Sequence, residues 1–261
     1  MRDVGTVSSA EPKFSGVAGY LFDDEGLRRY RAGADAIRAR IESDFALPFD
    51  IFHATACCGS IGRDEFSRWP YEVRMRLCRE MANLAADTRL AGFVALAQKE
   101  DFDALEKHDP RLAARIGGLY PATFLRCMDM IASFTKQRGE RVSYWLEQGD
   151  PKQKVADGVL TTIRDDERLR ERFSYFAHSI VPANHSEGVA FAAADHLAWE
   201  CNRNFKELLH GALTGAYHED DRLTEIFKIL RGRDNSRWFE VHLSEGALSV
   251  QLLIKMFYGL P

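Results

Sequence analysis

The sequence predicts a layered α/β domain. Three observations point there: short apolar segments bounded by charged or turn residues, longer segments with a 3.6-residue apolar period, and alternation of the two along 261 residues. A chain of this length is near the upper end for one domain, so a single domain spanning 1–261 is expected. Hydrophobic residues make up 46% and charged residues 28%, an ordinary globular composition that excludes general disorder.

Taken in order, residues 14–23 (FSGVAGYLFD) are short, apolar and bounded by charge, which suits a buried strand. The period then turns helical over 25–45, where Leu27, Tyr30, Ala34, Ile37 and Ile41 form one stripe. Pro48 ends that helix, and 49–54 (FDIFHA) reads as a second short strand. A helix over 64–87 and a third strand over 90–98 (LAGFVALAQ) follow. Residues 100–139 read as helical throughout, broken near Pro110 and Pro121, and are expected to form an insertion or cap over the sheet. Residues 141–147 (RVSYWLE) alternate apolar and polar side chains, the period of a strand. Pro151 suits the first turn of a helix reaching about residue 172. A strand over 173–180 and an Ala-rich helix over 187–213 complete the central block. The tail predicts a helix at 221–230, a strand at 238–242 and a helix at 244–258.

Several function classes are disfavoured. No apolar run approaches the roughly 18–20 residues of a membrane span, so no membrane partner is expected. Residues 1–11 lack the pattern of a secretory signal, and the cytoplasm is the expected compartment. The net charge of −4 gives no global attraction to a polyanion. Arg28, Arg29, Arg31, Arg38 and Arg40, and later Arg231, Arg233 and Arg237, read as solvated faces interleaved with acids such as Asp35 and Glu42. Cys57, Cys58, Cys78, Cys127 and Cys201 have no CxxC or zinc-like spacing and are expected as reduced, packed thiols.

The residues that carry chemistry are few. Glu147 leaves an apolar strand, where a site is both rigid and open, although a loop acid would look the same. Asp195 follows a run of small apolar residues on a helix expected to be buried, where a carboxylate needs a cation or an arginine. Glu200, five residues on, is a weaker candidate because it faces partly away. His53 ends the expected second strand and reads equally as a satisfied loop residue. His196 and Glu200, four apart, suit a surface helix pair.

The runs GVAGYLFDDEGLRRY, FHAT with a following EFSRW, RVSYWLEQGD and AFAAADHLAWE, in this order, resemble the domain of unknown function 3800 family. The resemblance covers about residues 5–203. It implies a ribonuclease-H-like fold, a mixed sheet with flanking helices and here a helical insertion, in which acids from three elements gather around divalent metal. It also implies roles: Glu147 as the central-strand acid, Asp195 as the helix acid, and His53 as a strand-end histidine for catalysis. The family's first-strand motif departs most. Gly5 takes the motif glycine and Asp3 its second acid, while Arg2 replaces the leading aspartate and Val4 the serine, so a truncated or degenerate first strand is expected. Ala192 stands where the family carries glutamine. The expected cofactor is Mg²⁺ or Mn²⁺, bound by Asp3, Glu147, Asp195 and Glu200. The expected activity is metal-dependent phosphodiester cleavage on nucleic acid. The rival is a catalytically degenerate module of the same fold that binds a protein or nucleic-acid partner.

Overall fold

Strand β1 (Phe14–Leu21) runs antiparallel to β2 (Ala91–Gln98), from Phe14 opposite Gln98 to Leu21 opposite Ala91. The computed structural model describes residues 14–147, 151–173, 176–183, 189–214, 224–231 and 238–242. Strand β5 (Trp238–His242) pairs parallel with the far edge of β2 and completes a three-stranded mixed sheet. Strands β3 (Val142–Glu147) and β4 (Phe176–Ala183) form a second, parallel pair with an irregularity between Val142 and Tyr144. The molecule is thus α/β but mostly helical.

Central strand β2 shows how the layers arise. Residues 91–97 are all buried, and their side chains alternate between two cores. Val94 and Leu96 join one core with Ala192 and Leu197 of α9 (Val189–Thr214). Phe93 and Ala95 face the other, beside Phe134 and Cys127 of α6 (Leu119–Arg138). Burying a side chain the size of Phe93 or Leu96 contributes about 1.5–3 kcal/mol, and here it sets the strand between two helical layers.

The layer behind α9 holds α1 (Asp24–Phe45), α3 (Tyr71–Thr88) and the short α10 (Glu225–Arg231). Helix α1 begins where the Asp23 carboxylate accepts from Gly26 N at 2.6 Å, and ends at Ala46 in the left-handed region. Its expected stripe is observed, with Tyr30, Ala34 and Ile41 buried.

Several expectations are corrected. Residues 49–54 form no strand; an irregular loop leads into one helical turn, α2 (Ala54–Cys57). Its aromatic residues are loop anchors: Phe49 packs against Phe66 and Trp69, and Phe52 against His196. The helix expected over 64–87 is split by Pro70 into a 3-10 turn (Asp64–Arg68) and α3. Between β2 and β3 lie α4 (Lys99–His108), α5 (Pro110–Ile116) and α6. The second break falls at Gly117 and Gly118, both at positive φ, and Pro121 sits inside the first turn of α6. Helix α6 packs directly on β1 and β2, over the sheet as a cap would lie. The next helix divides at Asp166 into α7 (Pro151–Asp165) and α8 (Glu167–Arg172), because the Asp166 carboxylate accepts from Leu169 N at 3.1 Å. Residues 244–258 lie outside the described residues.

The cysteines differ as well. Cys58, just after α2, and Cys78, on α3, are joined as a disulfide, while Cys57, Cys127 and Cys201 are free and buried. Among the described residues, no helix is long and apolar enough to cross a membrane.

Candidate functional site

His53 stands at the N-cap position of α2 in extended backbone, not at a strand end. Its carbonyl accepts from Ala56 N at 3.1 Å and Cys57 N at 2.9 Å. The turn that follows is held by a buried guanidinium. Arg74 Nη1 donates to Cys57 O and Gly59 O at 2.7 Å each, and Nη2 donates to Ser60 O at 3.1 Å. Arg74 reaches these carbonyls from the first turn of α3, so the loop bearing His53 is fixed from beneath.

Asp195 lies on the second turn of α9 and is partly buried. Its Oδ2 accepts from Ala54 N at 2.8 Å, which draws His53 and Asp195 together from distant parts of the chain. One partner of this carboxylate is thus a backbone amide at the start of α2, a charge-assisted bond that helps fix its orientation.

Glu147 ends β3 opposite Ala183, and its side chain lies outside the described residues, as does all of Asp3. The surroundings of its strand are visible. Strand β3, through Tyr144 and Trp145, lines a largely apolar cavity of about 230 Å³. Val17 and Leu21 of β1 border the same cavity, as do Phe191 and Ala194 of α9. The strand that carries Glu147 and the helical turn next to Asp195 therefore face one space.

Glu200 is placed differently. It is fully buried, paired with Arg203 Nη1 at 2.9 Å, and hydrogen-bonded by Asn204 Nδ2 at 3.4 Å and the Thr224 hydroxyl. Thr224 N in turn donates to Asn204 Oδ1 at 2.9 Å. The group ties α9 to the entry of α10, the surroundings of a structural acid. His196 points elsewhere, with Nε2 3.5 Å from Cys58 Sγ and its ring against Phe52. Burial, helped by the charge of Arg203, lowers its pKa to about 3 and keeps it neutral. His196 and Glu200 are accordingly buried in separate networks and do not form a surface pair.

No family model, curated protein or solved structure matches the chain.

The arginines of α1 behave as solvated groups. Arg28 pairs with Glu25 at 2.8 Å, Arg38 with Asp35 at 2.9 Å, and Arg40 with Glu80 of α3, while Arg31 lies 5.8 Å over the Trp145 ring. Of the second arginine group, Arg233 and Arg237 lie outside the described residues. Sequence reasoning missed Arg74 and the packing of three cysteines around α2. An arginine inside an amphipathic helix gives no sign of burial, and Cys57, Cys58 and Cys78 match no ligand spacing.

Proposed function

We propose that the chain is a metal-dependent phosphodiesterase of ribonuclease-H-like build acting on nucleic acid, with Glu147 and Asp195 as cation ligands and His53 beside them. One observation carries the reading: Asp195 is locked by Ala54 N next to His53, on the helical turn that shares a cavity with the strand ending in Glu147. Strands β1 and β3 border this cavity from the two sheets, where the family resemblance would put a first strand bearing Asp3. That agreement supports the fold assignment.

The donor set fits the cation in kind. Glu147 and Asp195 offer hard oxygen, which Mg²⁺ and Mn²⁺ prefer, whereas Glu200 is occupied by Arg203, Asn204 and Thr224. When bound, such a cation activates water and screens a phosphodiester's charge. The chain's own contribution is placement. The Ala54 amide aims the Asp195 carboxylate, and the same turn, anchored by Arg74, presents His53 for proton transfer or contact with a phosphate.

A binding role has its own supporting observation. Strand β1 pairs with β2 and β3 with β4, yet β1 and β3 line one apolar space. A partner peptide entering as an extra strand would pair with both edges, which pair with nothing on this side among the described residues.

Calorimetry with Mn²⁺ and cleavage of labelled single- and double-stranded DNA and RNA test the enzyme reading. The wild-type chain should bind Mn²⁺ and cleave, and Asp195→Asn should weaken Mn²⁺ binding at least about tenfold, ~1.4 kcal/mol. Absent Mn²⁺ binding, or binding unchanged by Asp195→Asn, sinks the enzyme reading and leaves the binding role.

A further inference from the structure

We infer that Cys57, Cys58, Cys78 and His196 form, in the reduced chain, a thiolate–imidazole site for a soft divalent cation of the zinc class. The three sulfurs lie within 4.8 Å of one another and all three residues are buried. Cys57 Sγ is 3.7 Å from Cys78 Sγ, and Cys58 Sγ is 3.5 Å from His196 Nε2. Around a tetrahedral zinc, with Zn–S about 2.3 Å and Zn–N about 2.0–2.1 Å, sulfur–sulfur edges come to about 3.8 Å and sulfur–nitrogen edges to about 3.5 Å. These two separations match such edges; to hold a cation, Cys58 and Cys78 must first part, and the His196 ring must move closer to Cys57 and Cys78, since the mutually close group is the three sulfurs alone.

In this structure Cys58 and Cys78 are bonded to each other, with Cα atoms 6.2 Å apart. Reduction of that bond by two electrons and two protons returns two thiols, and deprotonation on metal binding makes both sulfurs ligands. His196 supplies a second, independent argument. It is 1% exposed, and its Nδ1 has no hydrogen-bond partner among the described residues. Its polar contact is therefore Nε2 against sulfur, a weak partner for a buried imidazole. A cation on Nε2 would replace that weak contact with a ligand bond, while Nδ1 keeps no partner among the described residues.

With the imidazole drawn in, three sulfurs and one nitrogen would fill a tetrahedron, making the site closed and structural rather than catalytic. Its ligands come from the end of α2, from α3 and from α9, so the cation would fasten the turn that carries Ala54 and His53 to the helix that carries Asp195. The inference is independent of the phosphodiesterase reading, because soft thiolates select against Mg²⁺ and Mn²⁺.

The test uses the full-length chain, reduced with a phosphine, stripped with a chelator and titrated with Co²⁺ as the spectroscopic probe. One equivalent should produce thiolate-to-cobalt charge transfer and the visible bands of a tetrahedral ion, and Zn²⁺ should abolish both. Cys57→Ser, which leaves the Cys58–Cys78 pair intact, should weaken Co²⁺ binding at least about tenfold, whereas Cys201→Ser should not. X-ray absorption on zinc-loaded wild type needs no variant and should give three sulfurs and one nitrogen. An absent charge-transfer band, binding unchanged in Cys57→Ser, or a shell of oxygen and nitrogen only would each overturn the inference. Mn²⁺ calorimetry on the same samples separates this failure from that of the phosphodiesterase site.

Discussion

Arg74 is 3% exposed, and among the described residues its guanidinium donates to no carboxylate; three backbone carbonyls accept its hydrogen bonds. Replacing it strands the buried Cys57 carbonyl and removes the brace from those of half-buried Gly59 and exposed Ser60. Arg74→Met should therefore lower the unfolding free energy by about 3 kcal/mol in denaturant titration. Arg74→Lys should recover only part, because one ammonium cannot reproduce the planar fork that meets Cys57, Gly59 and Ser60 at once. Asp101 on α4 makes the opposite case. Burial raises its pKa above the ordinary carboxylate range, and one of its oxygens is buried without a hydrogen-bond partner among the described residues. A carboxyl group whose folded pKa is raised binds its proton more tightly when folded. The stability this confers is complete below the unfolded pKa and is lost as pH rises through the folded value. Asp101→Asn should thus match wild type in thermal unfolding near pH 3 and exceed it at pH 7, by no more than about 1 kcal/mol because the group is half in solvent. Neither residue's environment was legible from its neighbours in sequence. The need of Asp195 for a partner was legible, but a backbone amide from 141 positions away is a contact no local pattern encodes.

Helices and strands with a strong internal period were readable, and those decided by single residues were not. The stripe on α1 and the apolar run of β2 stand close to where they were expected, since their burial depends on a repeating pattern. Residues 49–54 mimicked a strand because Phe49 and Phe52 both point into the core, though from a loop. The break before α6 was misplaced to Pro121 because proline is tolerated in a first turn, whereas the Gly117–Gly118 pair provides the positive φ that ends α5. Two helical glycines test how element and packing compete. On α7, a Cβ at Gly158 would meet nothing within 4 Å, so Gly158→Ala should stabilise the protein by about 0.5–1 kcal/mol through helix propensity alone. On α1, a Cβ at Gly26 would lie 2.2 Å from Thr88 O, so Gly26→Ala should lower the melting temperature despite the same propensity gain. Paired thermal melts of the two variants decide it; equal shifts would mean that α1 and the end of α3 are not in the close contact described.

At the scale of the whole molecule, the α/β class followed from alternating periods, but the division into two sheets did not. Strand pairing is a long-range choice, and a period of two tells which face of a strand is buried, not which strand lies alongside. Among the described residues, β1 is at the edge of one sheet and β3 at the edge of the other, both bordering one apolar cavity. In an antiparallel pair, alternate residues of a strand direct their amides to the partner and the rest direct them away. Along β1, every second amide should then be engaged by β2, and the intervening amides should point toward β3. Hydrogen exchange read residue by residue should divide β1 into two interleaved classes, one protected with the core and one exchanging faster by several powers of ten. Strand β2, paired with β1 on one side and β5 on the other, should show protection at consecutive positions over 92–96. If all β1 amides prove equally slow, a strand already occupies the space between the sheets. The first-strand position implied by the family resemblance would then be filled, and a partner strand would have no place there.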